Sequence, residues 1–342
     1  MTIIQALNYG ATRLKSASDS PALDAEVLLS FVLKKPKTYL YTHSQKTILK
    51  KKLYLYLTLV KQKIKGWPIA YLTGEKEFFG LKFLVTRHVL IPRPESEGLV
   101  ELVQEQIQRT YFGRPRILCP LKILDVGTGS GCIIISIAKS LNPSPPTPLP
   151  KGEGSLRSSF LPTGEEIPSL ISRRGLGRRP DEGHYQFFAS DISKKALAVA
   201  KKNALIHKVK IQFKQGHLLA PWKNQSFDVI VANLPYLTKL EDRSTRFEPK
   251  QALVAGKKGL TLIEKLLKQI RNNSPALVSA MSPPLNLRGG WGELLPKHIF
   301  LEFDPRQTAA IKKLANKYLP NYSTKISNDL NQKSRFALLE MK

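Results

Sequence analysis

Three short runs of residues carry the chemistry that this sequence could do. The first is Asp125-Val126-Gly127-Thr128-Gly129-Ser130-Gly131, between the apolar runs Lys122–Val126 and Ile133–Lys139. Glycines let a backbone turn tightly and approach a ligand with no Cβ in the way. The spacing is Gly-x-Gly-x-Gly, unlike the Gly-x-Gly-x-x-Gly of dinucleotide turns. The second is Asp191, the last residue of Phe187-Phe188-Ala189-Ser190-Asp191. Nucleotide-binding α/β folds place an acid about 20 residues after the glycine turn, where it holds a ribose. An ionised carboxylate can accept from both ribose hydroxyls. The third is Asn233-Leu234-Pro235-Tyr236, directly after the apolar run Phe227–Ala232. Each also has a plainer reading. The glycines would be a turn without a ligand, Asp191 an acid at the start of the helix beyond Ser193, and the tetrapeptide an ordinary loop.

These residues need a frame. Lys122–Val126, Phe187–Asp191, Phe227–Ala232 and Ile299–Phe303 read as strands, and Ile133–Lys139 and Ala196–Ala204 as helices. Strands alternating with helices give a mostly parallel, doubly wound α/β sheet. Upstream, residues 1–72 read as a helical bundle. Leu53, Tyr56, Leu57, Val60 and Ile64 recur at helical spacing, and a second helix follows Ser20-Pro21. Residues 73–90, with Phe78, Phe79, Leu81, Phe83 and Val85 punctuated by Gly74 and Gly80, read as a β-hairpin linker. Next comes Ile91-Pro92-Arg93-Pro94-Glu95-Ser96-Glu97, held stiff by two prolines, with a helix from Glu95 to about Arg109. The α/β domain is expected over 91–342.

Two stretches break that frame, 142–185 and 274–293. The first holds 8 of the 24 prolines and six glycines, without periodicity. Ser144–Gly154 and Ser282–Gly292 agree at six of eleven positions, so both are expected to be insertions of one disordered, low-complexity element. Asp191 lies 60 residues past Gly131. Removing about 40 inserted residues restores the spacing of about 20 that a ribose anchor needs.

Composition narrows the class. The chain has 342 residues, 42% of them hydrophobic and 8% aromatic, enough for a core and against wholesale disorder. Its net charge of +28 favours an anionic contact such as RNA, DNA or the ribosome. Lysine outnumbers arginine 37 to 17 along the whole chain, so a general lysine bias explains the charge equally well. Lys50-Lys51-Lys52 reads as a solvated helix face. Cys119 and Cys132 make no disulfide framework, and no Cys/His spacing suggests a metal site. No signal peptide and no bilayer-spanning run are expected, which points to the cytoplasm.

The motifs add up to a family resemblance. The glycine turn resembles the cofactor loop of class I S-adenosylmethionine methyltransferases. Asn233–Tyr236 resembles the Asn/Asp-Pro-Pro-Tyr signature of methyltransferases acting on planar nitrogens. Such a nitrogen has its lone pair delocalised into a π-system. The Asn233 side-chain oxygen and the Leu234 carbonyl could accept its N–H bonds and push density back onto it. Pro235 would stiffen the turn and Tyr236 would pack on the planar group. Ala70–Gly80, Val89–Glu97, Phe247-Glu248-Pro249 and Leu301–Gln307 resemble further landmarks of the protein-(glutamine-N5) methyltransferases that modify peptide chain release factors. The resemblance implies a helical substrate-recognition domain, a hairpin, and a seven-stranded methyltransferase domain. It also implies methylation of the glutamine in a Gly-Gly-Gln motif. Gly127, Thr128, Gly129, Ser130, Gly131, Asp191 and Leu218, with Asn233, would hold S-adenosyl-L-methionine. Asn233, Leu234, Pro235 and Tyr236 would hold the glutamine amide, with Asn233, Pro235 and Tyr236 catalytic. The partners implied are release factors, near the ribosome, with no membrane and no metal. Leu234 stands where the signature has proline, and His217 where an acid usually faces the adenine. Two other readings stay open: an adenine-N6 methyltransferase acting on RNA or DNA, and a non-catalytic protein that binds ribosomes or nucleic acid.

Overall fold

A computed structural model describes residues 1–111, 120–141, 185–223, 225–237, 243–254, 259–272 and 295–342. Cys119 and nearly all of both expected insertions lie outside the described residues. Tyr185 is the exception, because it opens a strand and so belongs to the sheet.

The N-terminal part is helical through α1 (Ile3–Leu14), α2 (Pro21–Leu33), α3 (Lys37–Thr42), α4 (Lys50–Ile64) and α5 (Ile69–Thr73). Thr2 and Gln5 close α1 with a reciprocal capping box. Pro21 opens α2 at a position where its missing N–H costs nothing. Leu7, Leu14, Leu28, Leu29, Tyr56 and Leu59 make one core. Tyr56 donates to the Ala6 carbonyl at 3.0 Å, over Gly10, where any side chain would overlap the Tyr56 hydroxyl.

A hairpin follows, β1 (Glu75–Phe78) and β2 (Leu81–Leu84). Phe79 and Gly80 form its turn with φ of 52° and 67°. Two positive φ angles match the twist of a tight hairpin, and Phe79 therefore sits in the turn and not in a strand. Pro94–Ser96 is a short 3-10 turn, and the helix expected from Glu95 begins with α6 (Glu97–Tyr111).

The sheet is built from β3 (Leu121–Val126), β4 (Tyr185–Asp191), β5 (Ile211–Gln215), β6 (Val229–Ala232), β7 (His298–Glu302), β8 (Tyr322–Asn328) and β9 (Ser334–Met341). Its order is β5-β4-β3-β6-β7-β9-β8. The first five are parallel, and β9 runs antiparallel to both neighbours. Helices α7 (Cys132–Leu141) and α8 (Lys194–Ile206), with α6, cover one face of the sheet. Helices α10 (Thr261–Asn272) and α11 (Thr308–Tyr318) cover the other; the short α9 (Lys250–Leu253) lies between β6 and α10 in the chain. With both faces covered, the strands are continuously apolar: Val229-Ile230-Val231-Ala232 is buried throughout.

Chain connections leave β3 toward β4 on one side, and β6 leads toward β7 on the other. The crevice at the carboxyl ends of β3 and β6 is thus the topological switch point, where open α/β sheets bind ligands. Asn203 joins three pieces at this end. Its side chain accepts from Leu84 N at 2.8 Å and donates to Leu84 O at 3.0 Å and to Ser130 O at 2.9 Å. Asn203 is fully buried, so Asn203→Ala leaves the buried Ser130 carbonyl and the half-buried Leu84 N–H and carbonyl without this partner. A stability loss of about 2–5 kcal/mol is expected in urea unfolding, from about 1–3 kcal/mol for each unsatisfied group.

Candidate active site

Register brings the first and third motifs together. Val126 of β3 opposes Ala232 of β6, so Gly127 and Asn233 leave the sheet side by side. Between them lies a cavity of about 340 Å³, within the range of small-molecule sites, roughly 300–1,000 Å³. Gly127, Gly129, Asp191, His217, Leu218, Asn233, Leu234 and Pro235 all line it. These expected residues come from loops after four different strands.

The glycine turn is pinned to β4. Gly127 N and Thr128 N both donate to Ser190 O, at 2.8 and 3.0 Å. Gly129 N donates to Asp191 Oδ2 at 2.9 Å, and Ser193 N to Asp191 Oδ1 at 2.8 Å. Burial raises the Asp191 pKa, and these two N–H bonds pull it back. Each carboxylate oxygen keeps lone-pair capacity for a further donor. Ser193 caps α8 through its own hydroxyl, which accepts from Ala196 N at 3.2 Å. Asp191 therefore sits at a helix start and on the cavity at once.

The glycines differ in purpose. Gly127, Gly129 and Gly131 have φ of 78°, 56° and 81°. A Cβ on Gly129 would meet nothing within 4 Å, so this position opens onto free space. A Cβ on Gly131 would stand 3.0 Å from Ile135 Cδ1 and 3.2 Å from Ala200 Cβ; its absence lets α7 pack on α8. Gly131, Thr128 and Ser130 are off the cavity wall. Thr128 donates to Asp125 Oδ2 at 2.7 Å. Asp125 is buried and its Oδ1 has no partner. Burial pushes its carboxyl up to about 7, against the Thr128 bond.

Leu218 and His217, expected beside an adenine, both line the cavity. Leu218 is buried at φ 53°, a conformation unusual for a non-glycine residue. Its carbonyl accepts from Ser190 Oγ at 3.2 Å. His217 precedes it on the wall.

The tetrapeptide is held by Ser96 and Glu302, which fall within the landmark segments Val89–Glu97 and Leu301–Gln307 but carried no expected site role. Asn233 Nδ2 donates to Ser96 Oγ at 3.0 Å and to Glu302 Oε2 at 2.9 Å. Tyr236 turns to Glu302 and not to the cavity, its hydroxyl 3.4 Å from Oε1. Burial raises the Tyr236 pKa. Glu302 is 1% exposed, and burial pushes its carboxyl up to about 7. An acid inside the apolar run Ile299-Phe300-Leu301-Glu302-Phe303 was the available sequence signal. Ser96 lay in the stiff proline segment with no chemical mark of its own.

That segment also braces the cavity's outer loop. Arg93 pairs with the buried Glu248 at 2.6 Å, and Ile91 N donates to Glu248 Oε2 at 3.3 Å. Next to Glu248, Phe247 packs on Trp67 at 4.6 Å, and Arg246 donates to the Lys65 carbonyl. Pro249, Gln251 and Ala252 then close one side of the cavity.

A seven-stranded sheet of this order, covered by helices on both faces, defines a class I methyltransferase fold. Family profiles match at two places: the PrmC N-terminal domain over residues 5–74 and the methyltransferase small domain over 178–256. The release factor glutamine methyltransferase of Koribacter versatilis is 32% identical over 79% of this chain and 81% of its own. Its namesake from Vibrio cholerae is 33% identical over 85% and 82%. Another, from Bacillus cereus, is 26% identical over 100% of both chains. The chain belongs to the release factor glutamine methyltransferase family. Among the described residues, no helix is long and apolar enough to cross a membrane and no acid, His or Cys cluster could hold a metal ion.

Gly131→Ala and Gly129→Ala should separate packing from lining. Both pay about 1–2 kcal/mol for a left-handed Cβ. Gly131→Ala should lose about 1–3 kcal/mol more from overpacking α7 against α8, measured as a lower urea midpoint.

Proposed function

We propose that this chain transfers a methyl group from S-adenosyl-L-methionine to N5 of the glutamine side chain in the Gly-Gly-Gln motif of peptide chain release factors. The carrying observation is the Val126–Ala232 register, which sets the glycine turn beside Asn233 on one cavity. The names of the aligned relatives support the substrate. This reading puts the protein in the cytoplasm, beside terminating ribosomes.

The residues present fit such a donor. Gly129 offers a wall with open space where a Cβ would intrude, and Gly127 joins it. Asp191 would accept from ribose hydroxyls, Leu218 would pack on the adenine, and the pinned turn would present its backbone at Gly127 and Gly129. The Asp125 carboxyl, tied to the turn through Thr128 and raised to about 7 by burial, would favour positive charge nearby only in its ionised form. When bound, the donor supplies an electrophilic methyl group on a sulfonium.

The chain's own task is then to position a poor nucleophile. Asn233 Oδ1 and the Leu234 carbonyl would accept the two N–H bonds of the substrate carboxamide. Leucine replaces the signature's proline at a position whose working atom is backbone. The Leu234 side chain is buried against the glycine turn, with Cδ2 3.0 Å from where a Gly127 Cβ would be. Pro235 holds the loop, and Tyr236 ties it to Glu302. Acceptors fixed in advance lower the orientational cost of reaction. The proton leaves after the nitrogen gains its methyl, so no strong base is required.

Mass spectrometry of a release factor, after incubation with the protein and methyl donor, should find one added methyl on the Gly-Gly-Gln glutamine. Methylation of naked RNA instead would favour the adenine-N6 reading. Asn233→Ala should abolish transfer with donor affinity nearly unchanged by calorimetry. Asp191→Ala should weaken donor binding roughly 10- to 150-fold, the loss of about 1.5–3 kcal/mol from charge-assisted bonds.

A further inference from the structure

An asparagine side chain has two ends of equal size and opposite polarity. Its oxygen accepts and its NH₂ donates. With Oδ1 toward the cavity, Asn233 can receive an amide N–H; turned over, it would meet that N–H with its own. The proposed reaction needs one of these two states, and shape alone does not choose between them.

The surroundings do choose. Both Nδ2 protons of Asn233 are taken by acceptors, Ser96 Oγ at 3.0 Å and Glu302 Oε2 at 2.9 Å. Both acceptors are buried, at 3% and 1% exposure. An ionised carboxylate has no proton to give, so a turned Asn233 would set its oxygen against a negative oxygen in a dry site. Ser96 reinforces the choice. It accepts from Asn233 and its own hydroxyl proton goes to Glu302. We propose that Glu302, assisted by Ser96, is the positioning residue that fixes which end of the Asn233 carboxamide faces the cavity. This rests on the reading that Asn233 Oδ1 receives the substrate amide.

The selector works only while Glu302 is ionised. A protonated carboxyl can donate, and the turned state of Asn233 then finds a partner for its oxygen. Burial raises Glu302 to about 7, the Ser96 and Tyr236 hydroxyls and the Arg335 guanidinium hold it down, and Glu95 pushes it up. Cys132 also faces it, but burial keeps that thiol neutral, with a pKa of about 12. Above pH 7 the carboxylate form dominates and the acceptor end is presented. Below pH 7 that form is lost, and turnover falls with it.

The test follows kcat for release-factor methylation in the full-length protein from pH 5.5 to 8.5, with methyl donor saturating. Saturation confines effects of Asp125 on donor binding to KM. The wild type is expected to lose turnover through an acid limb near pH 7. Glu302→Gln is expected to lower kcat about 10- to 100-fold at pH 8, to leave donor affinity within 2-fold, and to remove the limb. Its thermal unfolding should not fall, since a buried charge is neutralised; a purely structural role would lower the melting temperature and leave the limb. Ser96→Ala, a smaller change, should lower kcat and keep the limb. An unchanged acid limb in Glu302→Gln, or, if that variant does not fold, an unchanged kcat in Ser96→Ala, overturns the proposal. Full activity of Asn233→Ala would overturn the amide-clamp reading itself; loss of activity there with an unaltered Glu302→Gln profile defeats only the selector.

Discussion

The pairing of Val126 with Ala232 is the constraint on which the rest of the site depends. In strands buried on both faces a slip by one residue exchanges the side chains that pack against the two helix layers, so the close-packed fit on each face holds the register. Ile123, Leu124, Val229 and Ile230 fill opposite faces of this pair and hold it in place. The consequence at the carboxyl end is geometric. The glycine turn and Asn233 can be adjacent only if those strands are, so the core of the sheet sets the distance between these two sides of the cavity.

Around that fixed edge, long-range polar contacts do the remaining positioning. Asp191 reaches the glycine turn across 62 positions of sequence, and Glu302 reaches Asn233 across 69. Asn203 connects the hairpin to the same turn. None of these side chains is simply an exposed polar group facing water. Each satisfies partners within the fold; Asp191 also lines the cavity, while Glu302 and Asn203 hold the Asn233 side chain and the glycine turn beside it. Asp125 and Glu302 show the cost of this arrangement, since both carboxyls are raised to about 7 by burial.

Much of this was legible in the chain. Strands β3, β4, β6 and β7 announced themselves as apolar runs, and the glycine turn and tetrapeptide fell at their ends. Asp191 was placed by counting residues once 142–185 was set aside. What escaped had physical reasons. β8, Tyr322–Asn328, lies at the sheet's edge with only Tyr322 fully buried, so its pattern is weak. β5 is the opposite edge, also mostly polar. Phe79 was grouped with the strand aromatics, yet it occupies a left-handed turn. Ser96 and Glu302 belong to no local motif with Asn233; only folding brings 96, 233 and 302 together. Contacts of that separation leave no spacing to read.

The bridge from Trp67 and Lys65 to Phe247 and Arg246 has a consequence of its own. It makes the helical bundle and the cavity's outer loop mechanical neighbours, with Glu248 and Arg93 as the next link inward. The outer wall of the cavity is therefore not a free-standing loop: its footing rests on the end of the bundle, and a change in how Trp67 and Lys65 pack would unseat Phe247 and Arg246 beside it.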